Sequence, residues 1–282
     1  MRKRLIAVAV ALSVLISTIF FFYIRADLWF YIEDALTPPE ALALERVELD
    51  ETRVWTLEDL ASIKDTNVSV SLMLVNEAHP LPVDYEATLE EYNGAKMHPL
   101  MVDPYVALRD RVEKLTGVRI YVASDYRTSE EQEEIFAESE DGIALRVGCS
   151  EHEAGLALDL YAPYYAGENF LRSSAGRSVN RICSDYGFVI RYPRGKEDVT
   201  GISYEPWHLR YVGEPHAVLM TQAELTLEEY LEALTPETWF SYGDYMILRT
   251  ARSEVELPMG WTSCDLSPDN LGYTVITLKT TK

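Results

Sequence analysis

The longest uninterrupted apolar pattern in the chain lies close to its N-terminus. Residues 5–24 form a run of twenty positions without a charged side chain, and Ser13, Ser17 and Thr18 interrupt it with small hydroxyl side chains. At about 1.5 Å per residue, a helix of this length spans roughly 30 Å, the thickness of the hydrocarbon core of a bilayer. The pattern therefore predicts one N-terminal transmembrane helix.

The residues that flank this run indicate its orientation in the membrane and whether it is cleaved. Arg2, Lys3 and Arg4 precede it, and because positive charge stays on the cytoplasmic side, we expect an N-terminus inside the cell and an extracytoplasmic remainder. A cleaved signal peptide would need a shorter apolar core and small residues at its cleavage site. A buried core helix would show a polar face, which the run lacks. We therefore favour a cytoplasmic tip and retained anchor over residues 1–25.

The hydrophobic pattern divides the rest of the chain into three segments. Residues 26–68 are rich in Glu and Asp, contain Pro38-Pro39 and have only short amphipathic stretches, which is typical of a stalk or linker. Residues 69–220 carry the dense apolar patterning of a globular domain. Residues 221–282 form a C-terminal extension whose role the pattern does not indicate.

Within the globular segment, helical and strand-like patterns alternate irregularly. The runs at residues 68–75, 118–123 and 155–161 are alternating or mostly apolar and predict strands. Residues 104–115 have helical spacing and are followed by Gly117, a plausible helix stop. Because these elements show no regular βαβ period, we expect an α+β fold.

Composition and charge exclude several classes of protein. Of the 282 residues, 48% are hydrophobic and 25% are charged, which excludes an intrinsically disordered chain. The 46 acidic residues outnumber the 25 basic ones, for a formal charge of -21, so we expect no nucleic-acid binding. The three cysteines leave two alternatives open, a single Cys149–Cys183 bridge or three free thiols.

Two short segments combine histidine with acidic residues. His152 stands seven residues before Asp159, and Glu205 stands three residues before His208. Two histidines and an aspartate with one open coordination position suit a catalytic zinc ion, and a nearby glutamate suits deprotonation of a water molecule. The alternative is that both histidines are hydrogen-bonded loop or core residues, and the spacing alone does not decide between the two.

The wider context of these segments adds a family resemblance. Four motifs occur in order: Ser124-Asp-Tyr-Arg127-Thr with Gln132, Ser150-Glu-His152-x-x-Gly155-x-Ala-x-Asp159, Gly187-Phe-x-x-Arg191-Tyr192-Pro, and Glu205-Pro-Trp-His208-x-Arg210-Tyr-Val-Gly213. This order resembles the zinc D-alanyl-D-alanine carboxypeptidases of the VanY type, a family that also contains L,D-carboxypeptidases of peptidoglycan tetrapeptides. The resemblance covers about residues 70–220. It implies a small antiparallel sheet with flanking helices that carries the metal ligands.

The resemblance assigns roles to particular positions of this sequence. It implies that His152, Asp159 and His208 are ligands of Zn²⁺ and that Glu205 is the general base. Arg127 resembles the family arginine that faces the substrate carbonyl or the C-terminal carboxylate. The planar guanidinium group of arginine forms paired hydrogen bonds with a carboxylate. The alternative for Arg127 is a surface salt bridge with a nearby glutamate.

Four further residues are implied to contact the substrate. Gln132, Ser150 and Tyr192 stand where the L,D-carboxypeptidase branch contacts its peptide, and Trp207 is expected to pack under the site. Ordinary core packing is the alternative for the two aromatic residues.

These observations lead to one expected function. We expect a membrane-anchored, extracytoplasmic zinc carboxypeptidase that removes the C-terminal D-alanine from peptidoglycan stem peptides ending in D-Ala-D-Ala. The alternatives are an L,D-carboxypeptidase acting on tetrapeptide stems and a non-catalytic zinc-containing module that binds the peptide without cutting it.

Overall fold

The computed structural model describes residues 2–139 and 144–280. The helices are α1 (Arg2–Ile24), α2 (Ala26–Leu36), α3 (Leu57–Ala61), α4 (Pro99–Thr116), α5 (Ser129–Glu138), α6 (Ser174–Ile182), α7 (Glu197–Thr200), α8 (His216–Gln222) and α9 (Leu227–Ala233), with 3₁₀ helices at Gly167–Arg172 and Cys183–Tyr186. The strands are β1 (Glu45–Arg46), β2 (Thr52–Thr56), β3 (Thr66–Val68), β4 (Glu90–Tyr92), β5 (Ala95–Met97), β6 (Tyr121–Ser124), β7 (Ala157–Tyr161), β8 (Phe188–Ile190), β9 (His208–Tyr211), β10 (Trp239–Tyr242), β11 (Tyr245–Thr250), β12 (Glu254–Pro258), β13 (Trp261–Pro268) and β14 (Thr274–Thr280).

A four-stranded antiparallel sheet lies within residues 69–220. Its strand order is β6-β7-β9-β8. Asp159 on β7 is paired with Ser124 on β6 and with His208 on β9. The register thus places residues from three distant motifs side by side. The α+β class and the small antiparallel sheet are confirmed.

Helix α4 contributes one face to the core beside this sheet. Met101 and Leu108 on the helix are buried in the same apolar cluster as Leu158 on β7. The helix ends at Gly117, whose φ of 72° lies in the left-handed region that favours glycine. The helix predicted over residues 104–115 is therefore confirmed, with its stop.

A second sheet joins the two ends of the chain. Its strand order is β1-β10-β11-β14-β13-β3, and β2 pairs separately with β12. Strands β1, β2 and β3 come from residues 45–68, within the segment predicted as a stalk, and their partners come from residues 239–280. β1 and β3 are the two edge strands of this sheet, and edge strands this short leave few unpaired backbone groups. Both strands are only two or three residues long, so they leave almost no hydrophobic pattern.

The strand predicted over residues 68–75 is wrong beyond its first residue, because β3 ends there. Leu72 and Leu74 lie in a core shared with the C-terminal segment, whereas Met73 and Val75 lie in the core of residues 69–220. The alternating pattern therefore reflects an irregular segment between two cores, with a turn at Ser71-Leu72, and not a sheet ladder.

The N-terminal apolar run forms α1, and α2 follows after a sharp bend. Among the residues that the structure describes, no single helix reaches both the length and the hydropathy of a membrane span, but Val10–Phe22 and Ala26–Leu36, bent by 85°, reach them jointly. Helix α2 contacts the rest of the protein, where Arg194 Nη2 lies 3.0 Å from Asp34 Oδ2. The single transmembrane helix stays a prediction.

The cysteines are free thiols. Cys149, Cys183 and Cys264 are all buried. Burial raises the pKa of Cys183 and of Cys264 to about 12, which keeps both thiols protonated and unreactive at neutral pH. Of the two alternatives for the cysteines, the structure therefore has the unbridged one.

His216 occupies an unexpected environment. It follows Gly213-Glu-Pro and begins α8, which predicts an exposed side chain, but the side chain is buried. Its Nδ1 lies 2.7 Å from the Tyr230 hydroxyl and its Nε2 lies 2.9 Å from Thr277 Oγ1. The expected exposure is wrong because the C-terminal segment packs over this end of α8. Burial lowers the pKa of His216 to about 3.

This burial predicts a pH-dependent stability. Below pH 6.5 an unfolded chain protonates His216, whereas the folded chain keeps the imidazole neutral down to about pH 3. The free energy of unfolding is therefore expected to fall by about 2 kcal/mol between pH 7 and pH 5 through this residue. Urea unfolding of wild type and His216→Gln at pH 7, 6 and 5 measures the effect. An equally steep pH dependence in the variant would contradict it.

Candidate active site

Three side chains from two neighbouring strands and one turn converge at one end of the four-stranded sheet. His152 lies in the turn before β7, Asp159 lies on β7, and His208 begins β9. One nitrogen or oxygen atom of each side chain lies within 4.8 Å of the corresponding atoms of the other two. The predicted ligand set is thus assembled by the strand pairing.

The cluster forms part of the wall of a cavity of about 100 Å³. The nine predicted site residues all line it: Arg127, Gln132, Ser150, His152, Asp159, Tyr192, Glu205, Trp207 and His208. Ala144, Leu145 and Ile202 also line it. The sequence did not single out these three residues, because small and aliphatic side chains carry no chemical signal.

A backbone hydrogen bond orients His152. Its Nδ1 lies 2.7 Å from the carbonyl oxygen of Asp125, which only accepts hydrogen bonds, so Nδ1 carries the proton. Nε2 is left with a lone pair and lies 3.4 Å from Asp159 Oδ2. Burial lowers the pKa of His152, which favours the neutral imidazole that a metal requires.

His208 has a carboxylate on each side of its ring. Nδ1 lies 3.1 Å from Asp159 Oδ1, and Nε2 lies 3.6 Å from Glu151 Oε2. Burial lowers the pKa of His208, but Asp159 and Glu151 outweigh burial and raise the pKa to about 9. A divalent cation bound to this ring therefore competes with a proton.

The donor set fits a zinc ion. His152 Nε2 and Asp159 Oδ1 are buried and have no hydrogen-bond partner among the described residues, which is costly for polar atoms unless a ligand engages them. Burial alone would raise the pKa of Asp159, but the two histidines hold it well below its usual value, so the carboxylate is ionised. Two imidazoles and one carboxylate are a common set for zinc with an open position.

Glu205 approaches the cluster through a turn. The backbone N–H of His208 donates to the carbonyl oxygen of Glu205 at 3.1 Å, and Pro206 lies between them. This turn brings Glu205 Oε2 to 3.7 Å from His208 Nδ1. Burial raises the pKa of Glu205, and although the charges of His208 and Arg127 act in the opposite direction, the pKa lies above its usual value. A carboxylate of this kind suits a general base.

Arg127 is held at the cavity by polar contacts with three side chains. Its Nη2 donates to Ser124 Oγ at 2.9 Å and lies 3.4 Å from Asp159 Oδ2. Its Nη1 donates to Gln132 Oε1 at 3.3 Å. Because the side chain is neither a surface ion pair nor fully buried, its guanidinium is available to an anionic group in the cavity.

The predicted substrate contacts also support their neighbours. Gln132 is buried, accepts from Arg127 and donates through Nε2 to the Leu145 carbonyl oxygen at 2.6 Å. Ser150 Oγ accepts from the backbone N–H of His152 at 3.3 Å. Each residue therefore reaches the cavity while it fixes a neighbouring element.

The two predicted aromatic residues, Tyr192 and Trp207, also line the cavity. The centroid of the Tyr192 ring is 4.8 Å from that of His208. Trp207 is partly buried against the main apolar core and also lines the cavity. The Tyr192 ring therefore limits the freedom of the His208 imidazole.

The sequence missed the role of the residues behind His208. Glu151, Arg191 and Arg210 are fully buried and charged. All three stand inside the motifs described above, but the sequence pattern gave them no function. An acidic residue directly before a candidate ligand was the available signal.

Comparisons with known proteins agree with this geometry. A family described as VanY, D-alanyl-D-alanine carboxypeptidase, matches residues 94–214. A bifunctional D-Ala-D-Ala dipeptidase and D-Ala-D-Ala carboxypeptidase, VanXYC of Enterococcus gallinarum, is 36% identical over 180 residues, which cover 58% of this chain and 95% of that protein.

Two solved structures are similar to the fold. The vancomycin resistance D,D-dipeptidase VanXYg, in complex with a D-Ala-D-Ala phosphinate analog, superimposes with a TM-score of 0.64 at 26% identity, over 81% of this chain and 98% of that one. A mutant of the vancomycin resistance D,D-pentapeptidase VanY from the VanB-type cassette, in complex with Zn(II), has a TM-score of 0.52 at 34% identity, over 58% and 99% of the two chains. Together with the sequence match over almost the whole of VanXYC, these similarities show that the chain belongs to the VanY family of D-alanyl-D-alanine carboxypeptidases.

Proposed function

We propose that this protein is a zinc-dependent D,D-carboxypeptidase that removes the terminal D-alanine from peptidoglycan stem peptides ending in D-Ala-D-Ala. The observation that carries the proposal is the convergence of two histidines, an aspartate, a glutamate and an arginine on one cavity. Family membership supports the substrate class, and a zinc-bound structure among the relatives supports the metal.

The roles of the residues follow from their positions. Zinc, when bound by His152, Asp159 and His208, supplies a Lewis acid that lowers the pKa of water and polarises a carbonyl. Glu205 accepts a proton from the attacking water and passes it to the amine of the departing D-alanine. Arg127 binds the peptide carboxylate or the oxyanion that develops on attack.

The choice of substrate is tested by three peptides. Purified full-length protein loaded with zinc is incubated with a pentapeptide ending in D-Ala-D-Ala, with a tetrapeptide ending in L-Lys-D-Ala, and with the dipeptide D-Ala-D-Ala, and the release of D-alanine is measured. We expect the highest kcat/KM for the pentapeptide. A higher kcat/KM for the tetrapeptide would favour the L,D-carboxypeptidase. A higher kcat/KM for the dipeptide would favour a dipeptidase, which is one of the two activities named for VanXYC.

A non-catalytic module that holds zinc and binds the peptide is the alternative from another class. The carboxylate of Glu205 beside the ligand cluster argues against it, because binding alone does not require a base there. Binding of all three peptides without D-alanine release by the zinc-loaded protein would favour the binding module.

Replacement of Arg127 is predicted to affect catalysis more than metal binding. In Arg127→Lys, a single ammonium group replaces the planar guanidinium group that contacts Ser124 and Gln132 together. We expect kcat/KM for the pentapeptide to fall about 100-fold and the zinc content to stay unchanged. Arg119→Lys, an exposed arginine outside the cavity, is the control. Wild-type kcat/KM in Arg127→Lys would refute the role of Arg127.

The location of the protein is a further part of the proposal. The uncharged run of residues 5–24 behind three basic residues supports a membrane anchor with its N-terminus inside and the remaining chain outside the cytoplasmic membrane. Residues 26–282 carry 21 basic and 46 acidic side chains, a charge of -25 that disfavours nucleic acid as a partner. Fractionation of cells, with protease added to intact spheroplasts, tests this topology. Recovery of the chain in the soluble cytoplasmic fraction would contradict it.

A further inference from the structure

A buried carboxylate lies directly behind one of the candidate zinc ligands. Glu151 is fully buried, and its Oε2 lies 3.6 Å from His208 Nε2. This separation is slightly longer than a hydrogen bond, and neither atom has another hydrogen-bond partner in the described part of the chain. With the proton of His208 on Nε2, facing Glu151, the lone pair of Nδ1 points towards Asp159 and the cavity.

Two buried arginines fix the position of this carboxylate. Arg191 Nε donates to Glu151 Oε1 at 2.7 Å, and Arg210 Nη1 donates to the same oxygen at 2.6 Å. Burial alone would raise the pKa of Glu151, but the two guanidinium groups lower it below its usual range, so the carboxylate is ionised. Arg210 is anchored independently, because its Nη2 donates to the carbonyl oxygens of Ser71 and Met73 at 2.9 and 2.7 Å.

Arg191 is anchored by the C-terminal segment. Its Nη1 and Nη2 donate to the two oxygens of Glu228 at 2.8 and 2.7 Å, a bidentate pair. Glu228 lies on α9, beyond the residues matched by the family, and it also accepts from Asn76 Nδ2 at 3.0 Å. The four charged groups balance, two arginines against two glutamates. Removal of Glu228 leaves both buried guanidinium groups with Glu151 as their shared carboxylate.

We propose that Glu151 is a positioning residue for the zinc ligand His208, and that Glu228 of the C-terminal segment holds it in place through Arg191. Metal-binding histidines generally donate their second N–H to a carboxylate or carbonyl, which sets the tautomer and the orientation of the ring. In this protein the carboxylate is itself held by Arg191, which is anchored in turn by Glu228 of the C-terminal segment. The C-terminal segment therefore contributes to metal binding without reaching the cavity. This inference rests on the zinc site of the proposed function.

The test compares zinc affinity in matched variants of the full-length chain. Glu151→Gln and Glu228→Gln each remove one charge, and Glu232→Gln, an exposed glutamate one turn further along α9, is the control. The zinc dissociation constant is measured by competition with a chromogenic chelator. We expect an increase of about 10- to 100-fold in Glu151→Gln, about 3- to 10-fold in Glu228→Gln, and none in Glu232→Gln. In the double variant the increase is expected to be smaller than the product of the single effects, because both residues act on one ring.

A second measurement separates positioning from general destabilisation. Thermal unfolding is followed with and without zinc, and the visible absorption bands of the Co²⁺-substituted protein are recorded. We expect Glu228→Gln to reduce the zinc-induced increase in Tm and to shift the Co²⁺ bands, and Glu228→Asp, which keeps the charge, to recover part of both. Equal decreases of Tm with and without zinc, together with an unchanged dissociation constant, would overturn the proposal.

The outcome for the wild-type protein distinguishes this inference from the proposed function. A wild-type protein that binds zinc and shows these differences between variants but releases no D-alanine supports the positioning role and refutes the carboxypeptidase. A wild-type protein that binds no zinc refutes both.

Discussion

The Glu205→Gln variant is expected to release D-alanine from the pentapeptide about 10²- to 10⁴-fold more slowly than the wild type. Glutamine has almost the same shape as glutamate but does not accept the proton of the attacking water. The zinc content is expected to remain close to that of the wild type, because Glu205 lies beside the cluster of three ligand atoms and is not part of it. Single-turnover kinetics with zinc-loaded protein measure the chemical step directly.

Glu197→Gln is the control for this variant. Glu197 is exposed on α7, eight residues before Glu205, and does not line the cavity. Its replacement is expected to leave the rate unchanged. Full hydrolysis by Glu205→Gln would exclude Glu205 as the base and would strengthen the non-catalytic alternative.

The second large effect is expected from Asp159→Asn. The neutral amide removes the negative charge that offsets the cation and weakens the contacts with both histidines. Because residues that only support a ligand change metal affinity by about 10- to 100-fold, loss of a ligand charge is expected to raise the zinc dissociation constant by more than about 100-fold. D-Alanine release should disappear at zinc concentrations that saturate the wild type.

Zinc-dependent stabilisation provides a readout for Asp159→Asn that does not depend on activity. A ligand that binds only the folded protein at about 1,000 times its dissociation constant stabilises it by about 4 kcal/mol. The wild type should therefore melt at a higher temperature with zinc than without, and Asp159→Asn should lose this difference. Asp103→Asn, on the exposed side of α4, is the matched control. Wild-type zinc affinity in Asp159→Asn would contradict the ligand assignment.

Both variants address residues that were predicted from local motifs. His152 and Asp159 are separated by seven residues, and Glu205 and His208 by three, so each pair is visible as a short pattern in the chain. The helix over residues 104–115 was predictable for a similar reason, since its apolar spacing and Gly117 are local signals. Their meeting in one cavity depends on the pairing of β7 with β9, which joins residues about fifty positions apart.

Predictions failed where a residue interacts with a distant part of the chain. His216 was expected to be exposed, but Tyr230 and Thr277 enclose its ring. Residues 26–68 were expected to form a stalk, but their short strands pair with strands near the C-terminus. A two-residue or three-residue strand has too few side chains to produce a periodic pattern. Its position is set by the strand with which it pairs, and that strand is distant in the sequence.

The sequence by itself determined the chemical character of the protein. The four ordered motifs were enough to indicate the family, the metal ligands and the base. The tertiary structure alone decided how the ligands are supported. Glu151, Arg191 and Glu228 are charged residues in a chain where such residues are frequent, so the sequence does not distinguish them. In the folded chain their side chains are joined by hydrogen bonds shorter than 3 Å, and these bonds make them one network behind His208. Burial is a property of the folded chain as a whole, because a charge leaves water only when distant segments close around it.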